Sequence, residues 1–209
     1  AGRQFPVATV DFNGILGDLS LMKSEAQAGR GKYLDNSGQG RRIILKSNGT
    51  YDICTVHSFN AATNDIIKYN RRVGGGTCDT CSGLCVSNYP IVDNGAIFVE
   101  NNVWLEGTVD SKKITVVAAN LISAALKTMY ISRDIRYTHS DCSEFIGAIG
   151  QNDVEITRDS NDILRIDAAL MAQSGRVGRA NYVGANAIRD TITVTGAITS
   201  NKRYGFAWA

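Results

Sequence analysis

From Asn94 onward the chain is a succession of short strand signals with polar turns between them and no proline to break a ladder. They run Ala96–Glu100, Val103–Val109, Ile114–Ala118, Met129–Ile131, Ile146–Ile149, Val154–Thr157, Leu164–Ala172 and Thr191–Thr199, each bounded by Asn, Asp, Ser or Gly. Several carry a small residue in mid-strand: Gly107, Gly147, Ala168 and Gly196. A small residue repeatedly placed there suits layers that stack closely, and the pattern predicts a parallel β-solenoid. The rival is an antiparallel sandwich of about eight strands. Spacing is irregular, so no strict repeat applies. Composition agrees, with Ile plus Val at 35 against 11 Leu, and 16 Asn and 21 Gly to make the turns.

The start of the chain differs. Phe12, Ile15, Leu16, Leu19 and Met22 recur at helical spacing, and Gly29 and Gly31 close the helix. Arg42–Lys46 and Tyr51–Val56 flank Asn48-Gly49, whose positive backbone angles predict a β-hairpin. The fold class expected is mainly β with an α+β start. It divides into a helix-and-hairpin region at 1–73, a cysteine-bearing loop at 74–93 and a β-solenoid at 94–209. No apolar run reaches the roughly 20 residues of a membrane span, so this segment predicts no membrane contact. A net charge of +2 gives no general attraction to nucleic acid.

Cys54, Cys78, Cys81, Cys85 and Cys142 are odd in number, so at least one thiol is free or pairs with another chain. Cys78-x2-Cys81-x3-Cys85, with Cys54-x2-His57 and His139-x2-Cys142, has spacings that zinc accepts. Two disulfides account for the same residues if the chain is exported, and reduced thiols if it is not. Connectivity stays open. His57 and His139 are the only histidines, and no Gly-x-Ser-x-Gly elbow accompanies them. Carbohydrate-cleaving chemistry needs paired carboxylates, for which Asp134, Asp153, Asp162 and Asp167 are candidates beside Arg133, Arg136 or Arg165. Alternation along Leu164, Ile166 and Ala168 turns Arg165 and Asp167 to the opposite face, where a surface ion pair is the simpler reading. Asp159-Ser160-Asn161-Asp162 starts like a calcium loop but lacks its sixth-position Gly and twelfth-position Glu. The sequence therefore predicts no catalytic residue, no bound metal and no cofactor.

Thr191, Thr193 and Thr195 form one rank, as β-propensity alone would produce, and Asn48-Gly49-Thr50 is a glycosylation sequon that the hairpin already explains. Arg176, Arg179 and Arg203, with Tyr182 and Tyr204, are candidate surface-binding residues that would grip phosphates and stack on bases. Phe206 and Trp208 are candidate docking aromatics.

Val103-Trp104-Leu105-Glu106-Gly107-Thr108-Val109, Ile149-Gly150-Gln151-Asn152-Asp153-Val154, Leu164-Arg165-Ile166-Asp167-Ala168-Ala169-Leu170-Met171-Ala172-Gln173-Ser174-Gly175 and Thr193-Val194-Thr195-Gly196-Ala197-Ile198 follow in that order. They resemble the β-solenoid domain of bacterial type IV pilus-assembly and minor-pilin-like surface proteins. The cysteine-bearing insert departs from that pattern. The resemblance implies an exported, extracellular, non-catalytic structural or adhesive component of a pilus-like or other cell-surface assembly. Its partners would be copies of itself, other pilin-like subunits or surface polysaccharide. The alternatives are a carbohydrate-active or carbohydrate-binding solenoid and a DNA-binding pilus-tip protein.

Overall fold

The computed structural model describes residues 14–70, 86–180, 183–184 and 187–206. Within them lie one helix, α1 (Gly14–Gln27), and fourteen strands. The strands are β1 (Gly31–Leu34), β2 (Gly40–Lys46), β3 (Thr50–Phe59), β4 (Ile66–Asn70), β5 (Val86–Pro90), β6 (Gly95–Val99), β7 (Val103–Val109) and β8 (Lys113–Ala118). There follow β9 (Met129–Tyr137), β10 (Phe145–Gly150), β11 (Val154–Ile156), β12 (Ile163–Ala172), β13 (Val177–Gly178) and β14 (Thr191–Ser200).

All fourteen join one sheet, which is mostly parallel. β1, β6, β8, β10 and β12 make one parallel run, and β2, β7 and β9 make another. β12 ties the two together. Its residues 169–172 pair with β10, while Ile166 sits opposite Ile135 of β9, so the sheet curls back on itself. Residues 31–46 belong to this same sheet through the β1–β6 and β2–β7 pairings.

Strands in such a sheet are buried on both sides and read as continuous apolar runs. β6 is buried along its whole length. Its inward Ile97 and Val99 join Ile43, Leu105, Val116, Ile131, Ile146, Leu164 and Leu170 in the main core. Its outward Phe98 meets Leu19 and Ala26 of α1, with Val117 and Ile149 alongside. Lys23 fixes the helix by pairing at 2.6 Å with Glu100, whose side chain has no solvent exposure. On another outer surface Trp104 stacks on Tyr130 at 4.8 Å, and Phe59 closes edge-on at 5.2 Å.

The mid-strand glycines have a physical cause. Gly107 holds φ +111° with the β2 backbone against it, and a Cβ there would collide with Leu45. Gly196 holds φ +145° and meets the backbone of Ala168 in the same way. Both lie where a strand bends within the stack. The expected hairpin is β2–β3, with Gly40 opposite Val56 and Lys46 opposite Thr50. Its turn corrects one detail: Gly49 carries the positive φ (+76°), while the Asn48 side chain accepts the Thr50 amide at 3.1 Å.

Candidate functional site

The carboxylates singled out from sequence share a use: each accepts a backbone amide from a neighbouring segment. Asp134 accepts from Arg165 N at 3.2 Å, Asp153 from Arg176 N at 2.7 Å, and Asp162 from Asp190 N at 3.1 Å. Asp167 accepts from Tyr137 N at 3.2 Å and from Arg165 Nε at 3.0 Å. The Arg165–Asp167 pair forms as alternation predicts, but only its arginine reaches the surface: 46% of the Arg165 side chain is exposed against 1% of Asp167. The Gln-Asn-Asp turn works similarly: the Gln151 side chain accepts from Asn120 N at 2.8 Å and donates to Asn120 O at 3.2 Å. These side chains satisfy amides that the bends and turns leave without strand partners.

Among the described residues two concavities stand out. The first, of about 530 Å³, lies where residues 138–144 leave β9 and lead into β10; Tyr137, His139, Cys142, Phe145, Arg165 and Asp167 are on its wall. Asp110, His139 and Glu144 present ligand-type atoms within 4.8 Å of one another. Glu144, however, already has a full set of donors. It accepts from the amides of Ser111 (3.1 Å) and His139 (2.9 Å), from the Thr138 hydroxyl and, at 3.2 Å, from His139 Nδ1. Burial alone would raise its pKa, but those hydrogen bonds hold it down at about 2. The bond to Glu144 raises the pKa of half-exposed His139, helped by Asp110 at 3.7 Å. This arrangement locks a turn, and Glu144 carried no motif by which sequence reading would find it.

The second, of about 420 Å³, is a groove between the β3–β4 hairpin tip and the outer face of β7. Arg42, Tyr69, Glu106, Arg133 and Asp159 line it, with Trp104 at its base. Arg42 lies over the Tyr69 ring at 4.9 Å and bonds Glu106 Oε1 through Nε at 3.0 Å. Trp104 is only 2% exposed and donates its indole N–H to Asn64 O at 2.8 Å. The hairpin tip is pinned down as Thr63 O accepts from Arg158 N at 3.0 Å and Asp65 accepts from Asp159 N.

The remaining sequence candidates scatter. Cys54 is fully buried in β3, whereas His57, three residues on, is exposed. Odd spacing on a strand sends the two to opposite faces, so Cys54-x2-His57 is not a ligand pair. Cys142 is a free, exposed thiol at φ +68°, which removes it from the candidate disulfide set. Cys78, Cys81, Cys85, Tyr182 and Trp208 lie outside the described residues. Arg176 and Arg203 are exposed, as is Tyr204. Arg179 is a correction to the candidate surface set: it is 3% exposed, and its guanidinium donates to Ala187 O at 2.5 Å and Arg158 O at 2.9 Å. Phe206 packs, half-buried, against the main core. No described helix is long and apolar enough to cross a membrane. No protein-family model, curated protein or solved structure matches this chain.

Proposed function

We propose that the curled sheet is a parallel β-solenoid serving as an exported, non-catalytic structural or adhesive component of a pilus-like or other bacterial cell-surface assembly. The observation that carries this reading is how the polar side chains are spent. Asp134, Asp153, Asp162 and Asp167, the residues a solenoid enzyme would use, are each engaged with a backbone amide of the scaffold. The ordered resemblance of residues 103–198 to minor-pilin-like proteins supplies the setting. Export also suits a disulfide staple between buried Cys54 and the cysteines of the 74–89 insert. Immunogold labelling of intact cells of the bacterium carrying this chain is the test. Surface label is expected, and label appearing only after the cells are opened would sink the reading.

One observation favours a second reading, carbohydrate binding in the hairpin groove. Arg42, Tyr69 and Glu106 combine an aromatic edge with bidentate polar groups, the mixture that sugar hydroxyls require. DNA binding at a pilus tip keeps only Arg176, Arg203 and Tyr204 from its described candidates, since Arg179 is committed internally.

A further inference from the structure

The two ends of the strand stack are finished differently. At one end β3 runs antiparallel across β2, and behind it lie β4 and β5, with register shifts at Tyr51/Ile53, Val56/Ser58 and Ser58/Phe59 and with Pro90 in β5. Bulges and proline are the usual means of preventing further strand addition. β14 closes the other end and has none of them. Its ten residues, Thr-Ile-Thr-Val-Thr-Gly-Ala-Ile-Thr-Ser, contain no charge and no proline, and they pair with β12 in unbroken register. Among the described residues β12 is its only strand partner.

We infer that the open edge of β14 pairs antiparallel with β14 of a second copy, around a two-fold axis through Gly196. This deepens the surface-assembly reading and rests on it for its setting. Three observations specify the arrangement. First, Thr191 N donates to Asp162 O and Asn201 N to Ala172 O, so odd-numbered amides face β12. Strand alternation then aims the amides of Ile192, Val194, Gly196, Ile198 and Ser200 at the open side. An antiparallel partner must set even residues against even ones, so that opposed residues exchange both bonds.

Second, β14 bends at Gly196, where φ is +145°. Two bent strands match only if the bends coincide, which places Gly196 opposite itself, Val194 opposite Ile198 and Ile192 opposite Ser200. Ile192 and Val194 already pack against the main core, and Ile198 is 37% exposed, so this register extends one apolar interior into the other. Third, exposed Asp190 and exposed Lys202 flank β14 just beyond its two ends, so the antiparallel arrangement brings each near the other residue of the second copy. Opposite charges therefore flank an uncharged seam. A second copy satisfies the edge, the bend and the charges together.

The test uses the full 209-residue chain in sedimentation velocity over a concentration series. Thr193 and Thr199 point away from the interior and lie opposite each other in the proposed register, so substitutions there leave the core intact. The wild type is expected to dimerise reversibly. Thr193→Lys/Thr199→Lys sets lysine against lysine twice and should raise the dimer dissociation constant at least roughly tenfold. Thr193→Glu/Thr199→Lys sets carboxylate against ammonium and should restore the dimer. Hydrogen exchange should show the Ile192, Val194 and Ile198 amides protected in wild type and open in the double lysine variant. A wild type that stays monomeric overturns the inference; if those amides are nevertheless protected, another part of the chain covers the edge. Equal dissociation of the two double variants also overturns it. Neither result bears on surface labelling, so the two readings fail separately.

Discussion

Glu144→Gln removes one charge from the 138–144 turn while keeping the shape of the side chain, so its effect reads the electrostatic lock directly. In the folded chain four donors converge on this carboxylate, two of them backbone amides, and hold its pKa at about 2 against an ordinary 4.5. That difference corresponds to at most about 3 kcal/mol. The partly exposed partner His139 and the oxygen acceptor that glutamine retains reduce the expected loss to about 2 kcal/mol at neutral pH. For a chain of this size the midpoint of thermal unfolding should fall by about 4–8 °C. The pH dependence carries the sign. A carboxylate whose folded pKa is depressed stabilises fully above its unfolded pKa, and loses that contribution as pH falls through the folded value. The gap between wild type and variant should therefore shrink from pH 4.5 toward 2. His139 acts in the other direction, because its raised pKa adds stability below the unfolded value that is lost as pH rises. The gap should thus be wider near about pH 5.5 than near about pH 8. Urea unfolding of both proteins across this range supplies the numbers. A gap as large at about pH 2.5 as at about pH 7 would refute the reasoning, since it would be independent of the carboxylate's charge.

Two further outcomes follow from the geometry. Gly107→Ala should unfold at least about 2 kcal/mol more easily than Gly29→Ala, as measured by chemical denaturation. Both glycines have positive φ, but a Cβ at 107 strikes the Leu45 backbone, whereas nothing lies within 4 Å of one at 29. Maleimide followed by peptide mass spectrometry should label Cys142 in the native protein and leave Cys54 unmodified until the chain is both unfolded and reduced, because the first is a free, exposed thiol and the second is disulfide-bonded with no accessible surface. Native labelling of Cys54 would contradict its burial.

The strands after residue 95 were legible because a parallel strand covered on both sides is written as an uninterrupted apolar run. Gly95–Val99 and Lys113–Ala118 begin one residue ahead of their sequence signals. β9 was legible only in part. Its signal stops at Ile131, yet the strand continues to Tyr137: Ser132, Arg133 and Asp134 interrupt the hydrophobicity and fall in an irregularity of the ladder, and pairing with β7 resumes at Ile135 opposite Gly107. β1 left no signal, being four half-buried residues whose place is set by β6, more than sixty positions later. The metal-like spacings misled for the opposite reason. C-x2-H brings ligands together on a turn or helix but separates them on a strand, and Cys54 and His57 are on a strand. The burial of Asp167 was illegible because its neighbours Tyr137 and Arg136 come from another strand.

The amide-capping carboxylates alter how chemistry should be sought in a chain of this composition. A curled sheet with many bends leaves backbone donors at each turn, and Asp, Asn and Gln are the side chains that satisfy them. Their abundance is therefore what the architecture demands. An acidic residue in such a chain signals function when its oxygens answer to something other than a backbone amide. In the cavity beside the 138–144 turn, Glu144 and Asp167 also answer to His139 and Arg165, but each caps an amide as well and so stays tied to the backbone. In the groove, Glu106 answers to the Arg42 guanidinium, and Asp159 faces the guanidinium groups of Arg158 and Arg189 at 3.5 and 3.9 Å. Side-chain pairs of this kind can exchange partners with a ligand without unsealing the backbone, which is why the proposed carbohydrate binding is placed in the groove and the proposed assembly at the β14 edge.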